Sequence, residues 1–251
     1  MPVFALADLH LSFGVPNKKM DIFGERWKNH SEQIAENWLS IVGKDDLILL
    51  PGDISWAKEP KDAVLDLKFI DSLPGTKVMI KGNHDYWWSS LKKLETLLPP
   101  SIHLIQNTAF NWKDISVAGS RLWDTYEFNF DGCIDYTPND ALSHLMAKEE
   151  DKDQDEKIFL REMQRLETSL KQLSSKAKHR IAMTHYPPIG VDLKASRVSL
   201  LLEKYKVETC VFGHIHSMKE NLNPFFGEKN GVRYLFAAGD FIHFKPILVL
   251  P

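Results

Sequence analysis

The first 100 residues repeat one pattern three times: a short apolar run, a polar loop and a segment with helical spacing. The apolar runs are 3–7, 47–50 and 77–80, and the helical segments are 29–42, 60–72 and 87–98. Strands that alternate with helices favour βαβ units and a largely parallel sheet. The pattern therefore predicts an α/β fold for this part of the chain.

The rest of the chain continues with strand signals after one polar interruption. Strands are predicted at 103–105, 109–112, 115–118, 181–184, 210–212, 234–238 and 242–250, and helices at 158–173 and 199–205. The last two strands are expected to pair around Gly239-Asp240. Residues 124–157 are polar and include a mixed-charge run. Because strand signals resume after them, we interpret them as an excursion from a single domain over 1–251. This excursion is either a substrate-selecting lid or a solvated loop.

Composition limits the classes of function. The formal net charge is −3, so the chain has no overall basic field for nucleic acid or anionic lipid, although a small basic groove is still compatible with it. The two cysteines, Cys133 and Cys210, lack partners at metal-ligand spacing and are typical of a reduced cytoplasmic protein. The N-terminus has no basic leader, and no apolar stretch approaches the roughly 20 residues that span a bilayer. We expect a cytoplasmic protein without a membrane span.

Five polar blocks follow predicted strands where the loops begin. They are Asp8-Leu9-His10, Gly52-Asp53, Gly82-Asn83-His84-Asp85, His185 and Gly213-His214-Ile215-His216. The carboxyl ends of parallel strands share one edge of a sheet, so these blocks are expected to meet there. Each block alone has an ordinary explanation as a turn or a cap. Together they offer more metal ligands than one ion needs.

The donor types indicate which metals and which reaction to expect. Asp, Asn and His supply oxygen and imidazole nitrogen without thiolate, a set that suits Mn²⁺, Fe, Zn²⁺ or Ni²⁺. The amide of Asn83 binds a cation without adding negative charge beside a phosphate. Two adjacent transition-metal ions most often serve phosphate-ester chemistry.

With all five blocks present, the chain resembles the calcineurin-like metallophosphoesterase superfamily, and most of all its compact single-domain bacterial phosphohydrolases. The resemblance implies a four-layer α/β/β/α sandwich with a dinuclear metal site at the carboxyl ends of the strands. It implies two sets of metal ligands that share one carboxylate: Asp8, His10, Asp53 and His216, and Asp53, Asn83, His185 and His214. A hydroxide that bridges the metals would attack phosphorus, and His84 would act beside them as a catalytic residue.

Departures from the protein phosphatases of that superfamily bear on the substrate. Neither the Gly52-Asp53 block nor the Gly82-Asn83-His84 block brings an arginine, which favours a phosphodiester over a phosphomonoester. Arg121 either reaches the cleft or lies on the surface beside Trp123. Asp85 is expected to cap a helix, with orientation of His84 as its other possible role.

The substrate is expected to be a small phosphate ester or a nucleotide, and nucleic acid is not favoured. Two alternatives remain: a non-catalytic metal-binding scaffold for a protein partner, and a nuclease. The scaffold would be expected to lack ligands, whereas all are present here. The natural substrate, the physiological metals and the oligomeric state are not predicted.

Overall fold

The computed structural model describes residues 1–135, 152–219 and 223–251. Its first sheet has the order β11-β1-β2-β3-β4. These strands are β1 (Val3–Ala5), β2 (Leu47–Leu50), β3 (Thr76–Met79), β4 (Ile102–Leu104) and β11 (Ile247–Leu250). Strands β1 to β4 run parallel, and β11 pairs with β1 in the antiparallel direction. The alternation of strand and helix in the sequence thus forms the parallel sheet that it predicts.

The second sheet has the order β5-β6-β7-β8-β10-β9. These strands are β5 (Ala109–Trp112), β6 (Ile115–Ser120), β7 (His179–Thr184), β8 (Thr209–Phe212), β9 (Phe225–Lys229) and β10 (Val232–Phe236). The central strands β6, β7, β8 and β10 are parallel, and the edge strands β5 and β9 are antiparallel to their neighbours.

Helices accompany both sheets. They are α1 (His30–Ile41), α2 (Val64–Ser72), α3 (Leu91–Leu94), α4 (Lys152–Leu170) and α5 (Arg197–Lys204). The long helix α4 packs against β6, and its apolar face buries Phe159, Leu166 and Leu170. The expected four-layer α/β/β/α sandwich is confirmed. No helix among the described residues is long and apolar enough to cross a membrane.

Two local predictions are wrong, and one strand is missed. The helix expected over 87–98 is only the short α3, because Trp87 is buried in the core beside a turn. The two closing strands do not pair with each other, since β10 joins β8 and β9 whereas β11 joins β1. The edge strand β9 has no counterpart in the prediction. Of the predicted excursion 124–157, residues 136–151 lie outside the described part of the chain, and α4 takes up the residues from Lys152.

The two sheets meet at the carboxyl ends of their strands. Ala7, just beyond β1, forms a bridge with Ala238, just beyond β10. The Ala7 N–H donates to the Ala237 carbonyl at 2.8 Å, and the Gly239 N–H donates to the Ala7 carbonyl at 3.1 Å. The loops that follow the strands of both sheets are thereby brought to one place.

Candidate metal centre

The loops at this edge bring the predicted ligands together. Asp8 and His10 follow β1, Asp53 follows β2, Asn83 follows β3, His185 follows β7, and His214 and His216 follow β8. Asp8, His10 and His216 each place a ligand atom within 4.8 Å of the others, and so do Asp8, Asp53 and His185. The first sheet supplies the carboxylates and the second supplies most of the imidazoles. The strand-end reasoning therefore predicted the right edge of the fold.

Close contacts divide the donors into two groups. His10 Nε2 lies 3.2 Å from His216 Nε2. On the other side, Asn83 Oδ1 lies 2.6 Å from His185 Nε2 and 3.1 Å from His214 Nδ1. His10 and His216 thus lie on one side and Asn83, His185 and His214 on the other, while Asp8 Oδ1 lies 3.8 Å from His185 Nδ1.

Asp53 stands between the two groups. Its Oδ2 atom lies 3.6 Å from His10 Nε2 and 3.5 Å from His185 Nε2. Its Oδ1 atom accepts the backbone N–H of His84 at 2.8 Å. One carboxylate therefore faces imidazoles of both groups while its second oxygen orients the loop after β3.

Several buried polar atoms here have no hydrogen-bond partner. They are Asp8 Oδ1, His10 Nδ1, Asp53 Oδ2 and His84 Nδ1. Buried polar atoms are nearly always paired in folded proteins, so unpaired carboxylate oxygens in one cluster need an explanation. A cation would satisfy both oxygens. The oxygen and nitrogen donors, without sulfur, fit Mn²⁺, Fe, Zn²⁺ or Ni²⁺.

Burial and neighbouring charge shift the pKa values within the cluster. Burial lowers the pKa of His10 and of His214 well below the ordinary value. Burial also opposes charge on His185 and His216, but Asp53 raises the pKa of His185 to about 9, and Asp240 raises that of His216 to about 9. Without a metal, His185 and His216 thus carry protons beside the carboxylates. A metal ion would displace those protons on binding.

The pKa values of the two carboxyl groups in the cluster, Asp8 and Asp53, shift in opposite directions. Burial raises the pKa of Asp8 to about 7. Burial also disfavours the charge of Asp53, but His185 and His10 hold the pKa of Asp53 well below its ordinary value. Asp53 is therefore the carboxylate that stays ionised between the imidazoles.

Sequence reasoning missed two groups that orient the imidazoles. The buried Asp240 carboxylate lies 2.9 Å from His216 Nδ1 and accepts the Ser217 N–H at 3.0 Å. The Pro51 carbonyl lies 2.9 Å from His185 Nδ1. Such partners fix the ring that faces a metal. Asp240 follows β10 just as the other acids follow their strands, and that position was the available signal.

Asp85 neither caps a helix nor orients the His84 ring. Its Oδ1 atom accepts the N–H groups of Ile54 at 2.9 Å and Ser55 at 3.1 Å, and its Oδ2 accepts that of Gly82 at 2.8 Å. Trp87 Nε1 donates to Oδ1 at 2.9 Å. Asp85 is buried and joins the loop after β2 to the loop after β3, so its contribution is to align the loops that carry Asp53 and Asn83.

Aromatic rings surround His84, the predicted catalytic residue. The His84 ring lies 4.4 Å from the ring of Trp56 and 5.6 Å from that of His10, centroid to centroid. Trp56 in turn stacks on His10 at 5.1 Å. Burial lowers the pKa of His84. The structure therefore places His84 next to the cluster.

A groove of about 760 Å³ opens in front of His214 and His216. Its walls are aromatic and acidic, with Trp123, Tyr126, Phe128, Phe130, Tyr186, Asp124, Glu127, Asp131 and Asp155 among its lining residues. Arg121 does not line this groove. Its guanidinium lies over Trp123 and pairs with Glu162 at 3.3 Å, while its carbonyl accepts the N–H of His185.

Comparison with known proteins gives three partial likenesses. The Gene 66 protein of Mycobacterium phage L5 is 36% identical over 81 residues, which are 32% of this chain and 37% of that protein. A protein of unknown function from Aquifex aeolicus is similar in structure with a TM-score of 0.46 and 15% identity, over 98% of this chain and 95% of that one.

The phosphopantetheinyl hydrolase PptH from Mycobacterium tuberculosis has a TM-score of 0.53 and 12% identity, over 100% of this chain and 96% of that one. At 12% identity this similarity shows only a shared fold. The sequence itself goes further, because the model of the calcineurin-like phosphoesterase family matches residues 1–218. The chain therefore belongs to the calcineurin-like phosphoesterases, as the five polar blocks predict.

Proposed function

We propose that this chain hydrolyses a phosphate ester with two transition-metal ions bound at the strand ends. The residues that would hold them are Asp8, His10, Asp53 and His216 for one ion, and Asp53, Asn83, His185 and His214 for the other. The observation that carries the proposal is the position of Asp53 Oδ2. It is buried without a hydrogen-bond partner, 3.6 Å from His10 Nε2 and 3.5 Å from His185 Nε2. A carboxylate oxygen in that position suits a ligand shared by two cations.

When bound, such ions lower the pKa of water in the site and offset the charge that develops on the phosphate oxygens. The protein itself positions the proposed ligands and His84. The Ile54, Ser55 and Gly82 N–H groups on Asp85 hold the two loops in register. His84, fixed by its backbone bond to Asp53 and by Trp56, would donate a proton to the departing alkoxide or a hydrogen bond to a phosphate oxygen.

We favour a phosphodiester over a phosphomonoester. A monoester carries a second negative charge, which clamping arginines commonly accept. The side chains that pack on the proposed ligands are instead aromatic: Trp27 and Trp56 on His10, and Tyr186 on His214. Arg121 pairs with Glu162. These neighbours support a substrate with less charge on the reacting phosphate.

The groove supports a small ester or a nucleotide better than a nucleic acid. Asp124, Glu127, Asp131 and Asp155 line it, and a chain of phosphates would be repelled by such a wall. Residues 124–135 of the excursion supply much of this lining, so we assign them to substrate selection within a single domain over 1–251. The free Cys133 and Cys210 support a cytoplasmic location.

Hydrolysis assays test the proposal directly. The full chain is stripped of metal, reloaded with Mn²⁺ or Zn²⁺, and given bis-p-nitrophenyl phosphate or p-nitrophenyl phosphate. We expect metal-dependent turnover that is faster with the diester, and its loss in Asp53→Asn. The matched control is Asp71→Asn, because Asp71 bonds to Ser101 near the amino ends of β3 and β4. His84→Ala is expected to keep its metals and lose roughly 10²-fold in kcat.

Two results would contradict these assignments. Full activity in Asp53→Asn would exclude Asp53 as the shared ligand, and unchanged kinetics in His84→Ala would remove His84 from the reaction. Two bound metals without turnover on any ester would favour the scaffold.

A further inference from the structure

Three arginines converge on one buried carboxylate outside the metal centre. Glu162 of α4 is only 2% exposed, and its Oε1 atom lies 2.7 Å from Arg165 Nη1, 3.3 Å from Arg121 Nη2 and 3.6 Å from Arg161 Nη2. Ser120 donates to Oε2 at 3.3 Å. A single carboxylate neutralises one of these three guanidinium groups, so two positive charges remain.

These residues line a cavity of about 330 Å³. Lys81 lines the same cavity. We call this cavity the cation pocket after its charged lining residues, which are Lys81, Arg121, Arg161, Arg165 and Glu162. Four cations and one carboxylate give it a net charge of +3, in a chain whose overall charge is −3. A concave site with charge of one sign concentrates counterions of the other sign.

The cation pocket also holds a polar atom that lacks a partner. Ser89 lines the cavity, and its hydroxyl oxygen is buried without a hydrogen bond. Arg161 and Arg165 keep 54% and 49% of their side chains exposed, so their remaining N–H groups are open to a ligand. Guanidinium groups match tetrahedral oxyanions with paired N–H donors. The hydroxyl and the guanidinium groups together form a set of donors that faces one space.

We propose that the cation pocket binds an oxyanion of the phosphate type. Two of its residues connect to the loops of the candidate metal centre, because Lys81 directly precedes Gly82-Asn83 and the Arg121 carbonyl accepts the N–H groups of His185 and Tyr186. The anion is either a second phosphate group of the substrate or a free phosphate. Binding in the pocket does not depend on the proposed metal ligands or on turnover.

Isothermal titration calorimetry of the full chain with sodium pyrophosphate tests the proposal, with and without bound metal. We expect one binding event in the metal-free form, and we expect it to persist when metal is bound, beside any binding of pyrophosphate to the metals themselves. The double variant Arg161→Gln/Arg165→Gln should weaken it at least 10-fold. Lys157→Gln is the matched control, since Lys157 is an exposed cation on the same helix outside the cavity lining, and it should bind as wild type does.

A second variant separates anion binding from a purely structural ion-pair network. Glu162→Gln keeps the size of the side chain and removes the competing charge, so it should bind pyrophosphate several-fold more tightly. Equal binding by the wild type and the double arginine variant would place the anion elsewhere and overturn the proposal. Weaker binding in Glu162→Gln would likewise overturn it, because the arginines would then serve the carboxylate alone.

Kinetics then identify the source of the anion. A nucleoside 3′,5′-bisphosphate is compared with the matching 5′-monophosphate. A rise in KM for the bisphosphate alone, in the double arginine variant, assigns the pocket to a second phosphate of the substrate. An effect of added pyrophosphate on hydrolysis of bis-p-nitrophenyl phosphate, present in wild type and absent in the variant, assigns it to a free anion. The calorimetry needs no turnover, so failure of this inference and failure of the proposed reaction are distinguishable.

Discussion

Four of the proposed ligands have a backbone conformation that residues other than glycine rarely adopt. The φ angles are 57° at Asp8, 45° at His10, 52° at Asp53 and 76° at His214. Each such residue costs on the order of 1 kcal/mol or more. Hydrogen bonds between the loops offset this cost: the Asp8 N–H donates to the Gly52 carbonyl at 3.0 Å, and the His10 N–H to the Asp53 carbonyl at 2.9 Å. Backbone strain of this kind is compatible with a functional site, and the hydrogen bonds between the loops hold the proposed ligands in this conformation.

The carboxylate of Asp240 is predicted to set the metal affinity through His216. Asp240→Asn keeps the shape of the side chain but removes the charge that orients and polarises the ring. We expect metal affinity to fall roughly 10-fold, the lower end of the range for such partners. Titration of the metal-free protein with Mn²⁺ or Zn²⁺ measures it, with Asp71→Asn as the control. An affinity equal to that of wild type would show that His216 needs no such partner.

Gly82 is predicted to tolerate no side chain. A Cβ atom at this position would overlap the backbone nitrogen and the carboxylate of Asp53, and would lie 2.8 Å from Asp53 Cγ. Gly82→Ala must therefore push the loop after β2 away, at a cost of about 1 to 3 kcal/mol, and should weaken metal binding. At Gly132 a Cβ would meet nothing within 4 Å, so Gly132→Ala is the matched control. Urea unfolding and metal titration measure the stability and the metal affinity of both variants. If Gly82→Ala equals Gly132→Ala in both quantities, the predicted overlap with Asp53 is wrong.

The residues that we propose as ligands were recognisable in the sequence because each follows an apolar strand. Their partners were not. Asp240 lies 24 residues from His216, and Glu162 lies 41 residues from Arg121. Contacts over such separations leave no local pattern in a single sequence, so the pairing of Asp240 with His216 and the cation pocket emerge only from the fold.

At the level of elements, periodicity predicted parallel strands well and misjudged the segment after β3. Trp87 and Leu94 are buried, as in the predicted helix, but Trp87 is held in a turn through its bond to Asp85. The side-chain bond competes with the helical backbone, and only α3 remains. The pairing of β11 with β1 joins the two ends of the chain. Local spacing favours a hairpin at 234–250 and carries no information about such a distant partner.

Helix α2 carries a buried acid that makes stability depend on pH. Burial raises the pKa of Asp66 to about 6 from 3.8, although Ser55 and the Phe13 N–H favour its charged form. Between pH 4 and 6 the folded chain holds this proton while the unfolded chain has released it. The contribution of Asp66 to stability therefore falls as pH rises through this window.

We expect Asp66→Asn to gain stability relative to wild type by about 2 to 3 kcal/mol between pH 4 and pH 7, from a shift of about two pKa units. Urea unfolding of both proteins across this pH range measures the difference between their free energies of unfolding. The contributions of the other carboxyl groups are common to both proteins and cancel in this difference. A constant difference would show that Asp66 titrates normally in the folded state.

On the scale of the whole molecule, the candidate centre draws its residues from both sheets. Asp8, His10 and Asp53 come from the first sheet, whereas His185, His214 and His216 come from the second. The backbone bridge between Ala7 and Ala238 connects the sheets at the same place. The cluster brings two buried acids, the buried His10 and His185 and the half-buried His214 and His216 together, and one oxygen of each acid is unpaired. A ligand that satisfies these atoms should stabilise both sheets together.

Metal removal is accordingly predicted to lower the stability of the whole fold. A ligand that binds only the folded state raises the free energy of unfolding by about 2.7 kcal/mol when its concentration is one hundred times its Kd. Tm should therefore rise steadily with Mn²⁺ concentration. Because both sheets contribute ligands, near-ultraviolet circular dichroism and the fluorescence of the tryptophans should report one transition that shifts as a unit. Asp53→Asn should lose most of this rise, whereas Asp71→Asn should keep it. If Tm stays constant across the titration while metal is shown to bind, the ions do not hold the sheets together, and the alignment of the two sheets then depends on the Ala7–Ala238 bridge and the core alone.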